Sequence, residues 1–254
     1  IVPGLAYEWS FSENKDHLTF KLRDNIFFHD SLVFPNKKGR KVNAADIKFS
    51  FERMLTSNSP YSYIFDYVEG IDKFKAKESR EVSGFQVLDS HTFRIVLNRA
   101  YPTMLQWLLA PAAYIIPKET PVNYNFSKGS IGTGSFVLES YNGSVAKFHA
   151  FTQYWKQNNK GKQLPYAKTL EIRIMTDVNI AWMAFLKGEL DIFNVPLSLF
   201  TQIYDPQGKV KSKWSKYGYR EVKLNNLKYL FFSMENSPWG EQVKLRKKIS
   251  EAID

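Results

Sequence analysis

Residues 136–150, FVLESYNGSVAKFHA, restrict the fold of this chain more than any other stretch. Phe136 and Leu138 stand two apart between Ser135 and Glu139, Val145, Lys147 and His149 resume the period of two, and Asn142-Gly143 stands between the runs. Asn-Gly readily supplies the positive-φ positions of the tight turn whose twist matches antiparallel strands, so the stretch predicts a β-hairpin. Similar alternation recurs in HLTFKL, where Leu18, Phe20 and Leu22 face one way, and in FQVLDSHTFRIVLN, which reads as two strands joined by Asp89-Ser90.

Helical signals fall between these strands. Asn43 precedes Ala44-Ala45-Asp46, a cap residue with an acid three positions on, and Ile47, Phe51 and Met54 share one face of the following turns. Pro102 suits the start of a short apolar helix ending near Leu109. Asp177 is placed to cap a helix running through Ala184 and Leu186, with Gly188 to end it. LSLFTQIY reads as a short helix, and GEQVKLRKKISEAID has helical spacing at Val243, Leu245, Ile249 and Ile253. IFFHD, LEIRIMT, LDIFNV and LKYLFFSMEN read as further strands, the last long enough to pass between domains. YSYIFDYVEGIDKF resists assignment, and the prolines bounding PAAYIIPKETP forbid a long regular element there. Alternating strands and helices predict a mixed α/β (α+β) fold. The chain begins without Met and stops inside a helical pattern, which reads as a piece of a longer protein.

The 254 residues contain no cysteine, which removes disulfides, thiolate metal ligands and a cysteine nucleophile. No apolar run approaches the roughly 20 residues needed to span a bilayer as a helix. With 35 Lys and Arg against 25 Asp and Glu, the formal charge is +10, and residues 156–248 hold most of it, 17 basic against 8 acidic side chains. Such a surplus raises nucleic acid or an anionic membrane as partners. The lysines lie scattered in loop-like sequence such as DPQGKVKSKWSKYG, without an arginine-rich helix or zinc-finger spacing, and read mainly as a solvated face.

Catalytic signatures are absent: the chain has no GxGxxG, GxxxxGK[ST], HExxH or GxSxG. In FKLRDNIFFHD (residues 20–30), Asp24-Asn25 suits a turn, and neighbouring His29 and Asp30 would point to opposite faces of a strand, which argues against a dyad. Glu189 and Asp191 are the pair that a carboxylate hydrolase would need, although Gly188 before them reads as a helix-to-strand junction. Tyr61, Tyr63 and Tyr67 follow a Pro breaker, where a loop can turn rings toward a ligand, and Phe193, Phe231 and Phe232 lie in the suspected crossing strands.

Taken in order, PGLAYEWSFSENKDHLTFKLRDNIFFHD, VNAADIKFSFERML, LDSHTFRIVL, GTGSFVLESY with YWKQ after it, LKGELDIF and FFSMENSPWGEQVKLRKKISEAID resemble the solute-binding proteins of ABC importers, the group (family 5) that captures peptides, oligopeptides and some nickel or sugar ligands. One departure is Asp30-Ser31 where the family usually has Asp-Gly, followed by a long basic loop to Lys41.

The resemblance implies one lobe, with its accessory subdomain, of a two-lobed protein of the type II periplasmic-binding-protein fold. Residues 1–118 would form the accessory subdomain, 119–232 the returning part of the first lobe, and 233–254 the hinge crossing and the start of the second lobe. It implies a non-enzymatic monomer, periplasmic or lipid-anchored at the outer face of the cell membrane. That monomer would close on a peptide and deliver it to a membrane permease, without cofactor, metal or nucleic acid. Tyr61, within SPY, together with Phe193, Asn194 and Phe231, would face the ligand.

Overall fold

The computed structural model describes residues 2–56, 59–126, 129, 131–221, 231–235 and 238–252. They form two units, Ile1–Ala181 and Trp182–Asp254. The first contains two antiparallel sheets. One, in the order β1-β2-β4-β3, is built from β1 (Ala6–Phe11), β2 (His17–Leu22), β3 (Phe85–Val87) and β4 (Thr92–Val96).

The expected alternation holds in β2, where Leu18, Phe20 and Leu22 are buried while Lys21 is exposed. Phe20 stands opposite Phe93 and Leu18 opposite Ile95, so the apolar faces of β2 and β4 coincide. Helix α1 (Ala44–Thr56) packs its buried stripe of Ile47, Phe51 and Met54 into the same core. At the centre, the Phe51 ring lies 4.7 Å from Phe65, 5.5 Å from Phe85 and 5.9 Å from Phe93.

The cap of α1 forms as its sequence predicts. Asn43 Oδ1 accepts from Ala45 N and Asp46 N, while Asp46 Oδ2 accepts from Asn43 N at 2.9 Å, the reciprocal arrangement of a capping box. Asp46 is fully buried. The Arg40 guanidinium donates to both its oxygens, at 2.8 and 2.6 Å, and to both oxygens of Glu119, at 2.9 and 2.7 Å. The basic loop is therefore more than a solvated segment, because Arg40 ties it to α1 and to a segment 79 residues away.

The unassigned tyrosine-rich stretch is a 3₁₀ turn, Ser62–Phe65, followed by the short helix α2 (Ile71–Lys75). Helix α3 (Met104–Trp107) is shorter than expected, and a 3₁₀ turn occupies Pro111–Ala113 between the prolines. The second sheet has the order β5-β6-β7. Its hairpin of β5 (Phe136–Tyr141) and β6 (Val145–Ala150) turns at Asn142-Gly143, with Gly143 at φ +90° and Asn142 Oδ1 accepting from Ser144 N and Val145 N. Strand β7 (Thr169–Arg173) forms the LEIR part of its expected stretch.

Helix α4 (Val178–Leu186) begins where Asp177 Oδ1 accepts from Asn179 N and Ile180 N, and Gly188 at φ +77° follows its end. In the second unit, LSLFTQIY becomes a 3₁₀ turn and the short helix α5 (Phe200–Ile203), and α6 (Val243–Glu251) forms over the last helical pattern, whose Ile253 lies outside the described residues.

Three expected strands differ. IFFHD makes only an isolated bridge between Phe27 and Lys41, and LDIFNV pairs with no strand among the described residues. A period of two predicts a face, but a strand also requires a partner ladder. Residues 227–230 of LKYLFFSMEN, and Asn236 after them, lie outside the described residues, and 231–235 are not strand. Conversely, β1 lacks a clean sequence signal, because its register with β2 shifts between Ala6 and Glu8.

Candidate ligand-binding site

The local fold turns Tyr61 outward. Ser59 Oγ accepts from Tyr61 N, Ser59 O accepts from Ser62 N, and the turn then sends Ile64 and Phe65 wholly into the core. Anchored by that pair, Tyr61 and Tyr63 remain 45% and 44% exposed, their ring centres 6.5 Å apart. Trp107 of α3 meets the Tyr63 ring edge-on at 5.5 Å. Trp107 was not singled out by the sequence, since only folding brings α3 against the 62–65 turn. Nearby in sequence, Tyr67 is half-buried, edge-on to Tyr101 at 4.8 Å, with the Arg99 guanidinium 3.7 Å above its ring. Tyr61, Tyr63 and Trp107 thus offer flat apolar surface bearing hydroxyl and N–H groups, suited to contacts that do not specify one side chain.

The other expected positions belong to the second unit. Phe193 is half-buried, its ring 5.4 Å from Trp182 and 5.9 Å from Phe185. Trp182 meets Trp214 at 5.1 Å, and Phe185 meets Tyr217 at 5.2 Å, so Phe193 is one member of an aromatic cluster that holds this unit together. Asn194, next to it, is exposed, and Phe231 is 81% exposed. Tyr61 lies in the first unit and these three in the second, each placed by its own unit's packing.

The catalytic candidates are accounted for by local structure. His29 is buried: its backbone N donates to Gly132 O, and its Nε2 lies 2.8 Å from Gly134 O. A carbonyl only accepts, so Nε2 carries the proton. Nδ1 is buried and finds no hydrogen-bond partner among the described residues. The ring meets Phe151 edge-on at 4.7 Å, and burial holds its pKa below the ordinary 6.5. Asp30 points away, held below the usual carboxylate range by the Lys38 ammonium at 2.7 Å and the Gly39 N–H.

A serine, an aspartate and a histidine do meet in the β1–β2 turn, but in the wrong order for nucleophilic catalysis. Ser12 Oγ donates to Asp16, which in turn bonds His17 Nδ1, and Ser12 Oγ accepts the backbone N–H groups of Asp16 and His17. No imidazole lies against the hydroxyl to take its proton. Glu189 and Asp191 are both exposed, outside the water-excluded cleft in which a pair of hydrolytic carboxylates would work.

The first unit also contains a cavity of about 640 Å³, bounded among others by Phe20, Phe51, Phe93, Leu108, Ile115 and Ile131. Among the described residues no charged side chain lines it. The described lining suits apolar groups.

The family model described as bacterial extracellular solute-binding proteins, family 5 Middle, matches residues 1–254. A dipeptide-binding protein of Escherichia coli (strain K12) is 28% identical over 269 residues, covering 100% of this chain and 46% of the relative. Heme-binding protein A of Haemophilus influenzae is also 28% identical, over 100% of this chain and 45% of its own length. The chain thus spans about half the length of the curated relatives it matches. Among solved structures, a periplasmic oligopeptide-binding protein from Borrelia burgdorferi superposes with a TM-score of 0.66 at 23% identity, over 79% of this chain and 40% of that one. The family model matches over the whole length: this chain belongs to the family 5 bacterial extracellular solute-binding proteins.

Proposed function

We propose that this chain is part of the receptor of an ABC importer, which captures peptides by closing two lobes and presents them to a membrane permease. The observation that carries the reading is the family match over residues 1–254, in which a dipeptide-binding relative covers the entire chain. On this reading, residues 1–118 are the accessory subdomain, 119–232 the returning part of the first lobe, and 233–254 the hinge crossing and the beginning of the second lobe.

Lobe closure works by differential affinity, because the ligand draws the protein toward the state in which both lobes touch it. On this reading Tyr61 of the first unit, and Phe193, Asn194 and Phe231 of the second, are ligand contacts. A peptide paired through its backbone, as an added strand, leaves its side chains free to vary. Broad aromatic surface at Tyr61 suits that mode better than a pocket shaped to one residue. The receptor acts without catalysis, as a monomer, in the periplasm or lipid-anchored at the outer face of the membrane. No helix among the described residues is long and apolar enough to cross a membrane.

Thermal denaturation of the full-length protein against a peptide mixture, a nickel–histidine chelate and oligosaccharides tests the proposal. Peptide at about 100 times its Kd should stabilise the protein by about 2.7 kcal/mol. Stabilisation by the chelate or a sugar alone would change the ligand class, and a flat response to all three would end the reading. The recovered peptide should be intact. Cleavage abolished by Glu189→Gln or Asp191→Asn would replace capture with hydrolysis.

A further inference from the structure

The second unit carries a cationic surface that includes none of the proposed ligand contacts. Between Pro206 and Arg220 the sequence has five cationic side chains, Lys209, Lys211, Lys213, Lys216 and Arg220, and no acidic one. These residues belong to a compact knot. Tyr204 and Val210 form a β-bridge around the 205–208 turn, Lys211 N donates to Ile203 O, and Trp214 Nε1 donates to Gln202 O at 3.0 Å.

Two carboxylates flank the stretch, exposed Glu221 after Arg220 and Asp205 before Pro206, and Asp205 Oδ1 is engaged by the turn, accepting from Gln207 N and Lys209 N. Trp214 and Tyr217 face the aromatic cluster, and each carries a lysine on its ring. Lys213 Nζ lies 4.8 Å from the Trp214 ring centre, and Lys216 Nζ lies 5.1 Å from that of Tyr217. Both ammonium groups are thereby held at the surface on anchored rings, with less side-chain entropy left to lose on binding. Lys209 and Arg220 are exposed, and beside them Tyr219 is 65% exposed.

From this arrangement we infer that the 206–220 knot is a docking surface for an anionic lipid bilayer. Clustered Lys and Arg are drawn to the negative potential of acidic headgroups, and Tyr and Trp prefer the headgroup level of a membrane. An extracellular family places its members beside a bilayer rather than beside nucleic acid, and the knot lacks the regular helix that would enter a DNA groove. Parking the receptor on the membrane by this face would confine its search for a membrane partner to two dimensions.

Co-sedimentation of the soluble full-length chain with phosphatidylcholine vesicles, with and without phosphatidylglycerol, tests the inference. Binding should require phosphatidylglycerol, weaken with salt, and fall at least about tenfold in the combined Lys209→Gln, Lys213→Gln, Lys216→Gln, Arg220→Gln variant. The charge-matched control changes Lys156, Lys160, Lys162 and Lys168 of the first unit to Gln, and should keep vesicle binding. Circular dichroism checks that both variants fold, and peptide-induced stabilisation checks capture separately. Equal losses in the two variants would mean net charge alone and overturn the inference. So would the absence of lipid-dependent binding.

Discussion

His29 and Asp46 are both buried polar residues, and their surroundings give them different consequences. Burial depresses the His29 pKa in the folded state, so below about pH 6.5 the unfolded chain binds a proton that the folded chain resists. The neutral ring's contribution is fully present above the unfolded pKa and is lost as pH falls from there toward the folded value. His29→Gln keeps an N–H for Gly134 and removes the titration, so the variant's melting temperature should fall less steeply between about pH 7 and pH 5. An unchanged slope would show that other groups carry the acid sensitivity.

Asp46 is fully buried and accepts from Arg40, from Asn43 N and from Lys118 N at 3.0 Å. Asp46→Ala leaves the buried backbone donors and part of the guanidinium without an acceptor, at a cost of about 3–5 kcal/mol in urea unfolding. Glu119 is partly exposed and held below its usual pKa mainly by the Arg40 hydrogen bond; Glu119→Ala should cost about 1 kcal/mol. Equal costs would refute this ranking by burial.

Among the elements, α1 and the β5–β6 hairpin were legible because their determinants are local. The Asn43–Asp46 box and the Asn142-Gly143 turn each close hydrogen bonds over two or three residues. IFFHD was misread because its neighbour is a loop rather than a strand. Gly39 lies in that loop, where an added Cβ would overlap the Phe28 carbonyl. Gly39→Ala should therefore destabilise by about 1–3 kcal/mol through forced backbone movement. Gly143→Ala has open space around it but sits at φ +90°, so its cost of about 1–2 kcal/mol comes from backbone strain alone. Structures of the two variants would separate the mechanisms: displacement of Phe28 in the first, and a locally altered turn with undisturbed neighbours in the second. Undisturbed Phe28 geometry would refute the steric account.

For the whole protein, Tyr61 and Phe193 stand as expected ligand contacts with contrasting surroundings. Tyr61 is largely free of the core, so Tyr61→Ala should weaken peptide binding about tenfold, about 1.4 kcal/mol, and leave ligand-free stability nearly unchanged. Phe193 packs against Trp182 and Phe185, so Phe193→Ala should cost about 2–3 kcal/mol of stability and lower affinity as a secondary effect. Calorimetric titration and ligand-free melting of both variants check this. A Tyr61 variant with unchanged affinity would remove that residue from the cleft.

The amino-acid sequence by itself determined the mixed α/β class, the hairpin, the capped helices and the family, since these rest on periodicity, caps and the order of short motifs. Tertiary structure decided which of those residues meet. It joined Arg40 to Glu119 across 79 positions, set Trp107 on Tyr63, closed the aromatic cluster around Phe193, and buried His29 while leaving Asp30 outside. Side-chain spacing reports which way a residue faces along its own element. What lies on the other side of that face is supplied by distant chain, and only close packing brings it there.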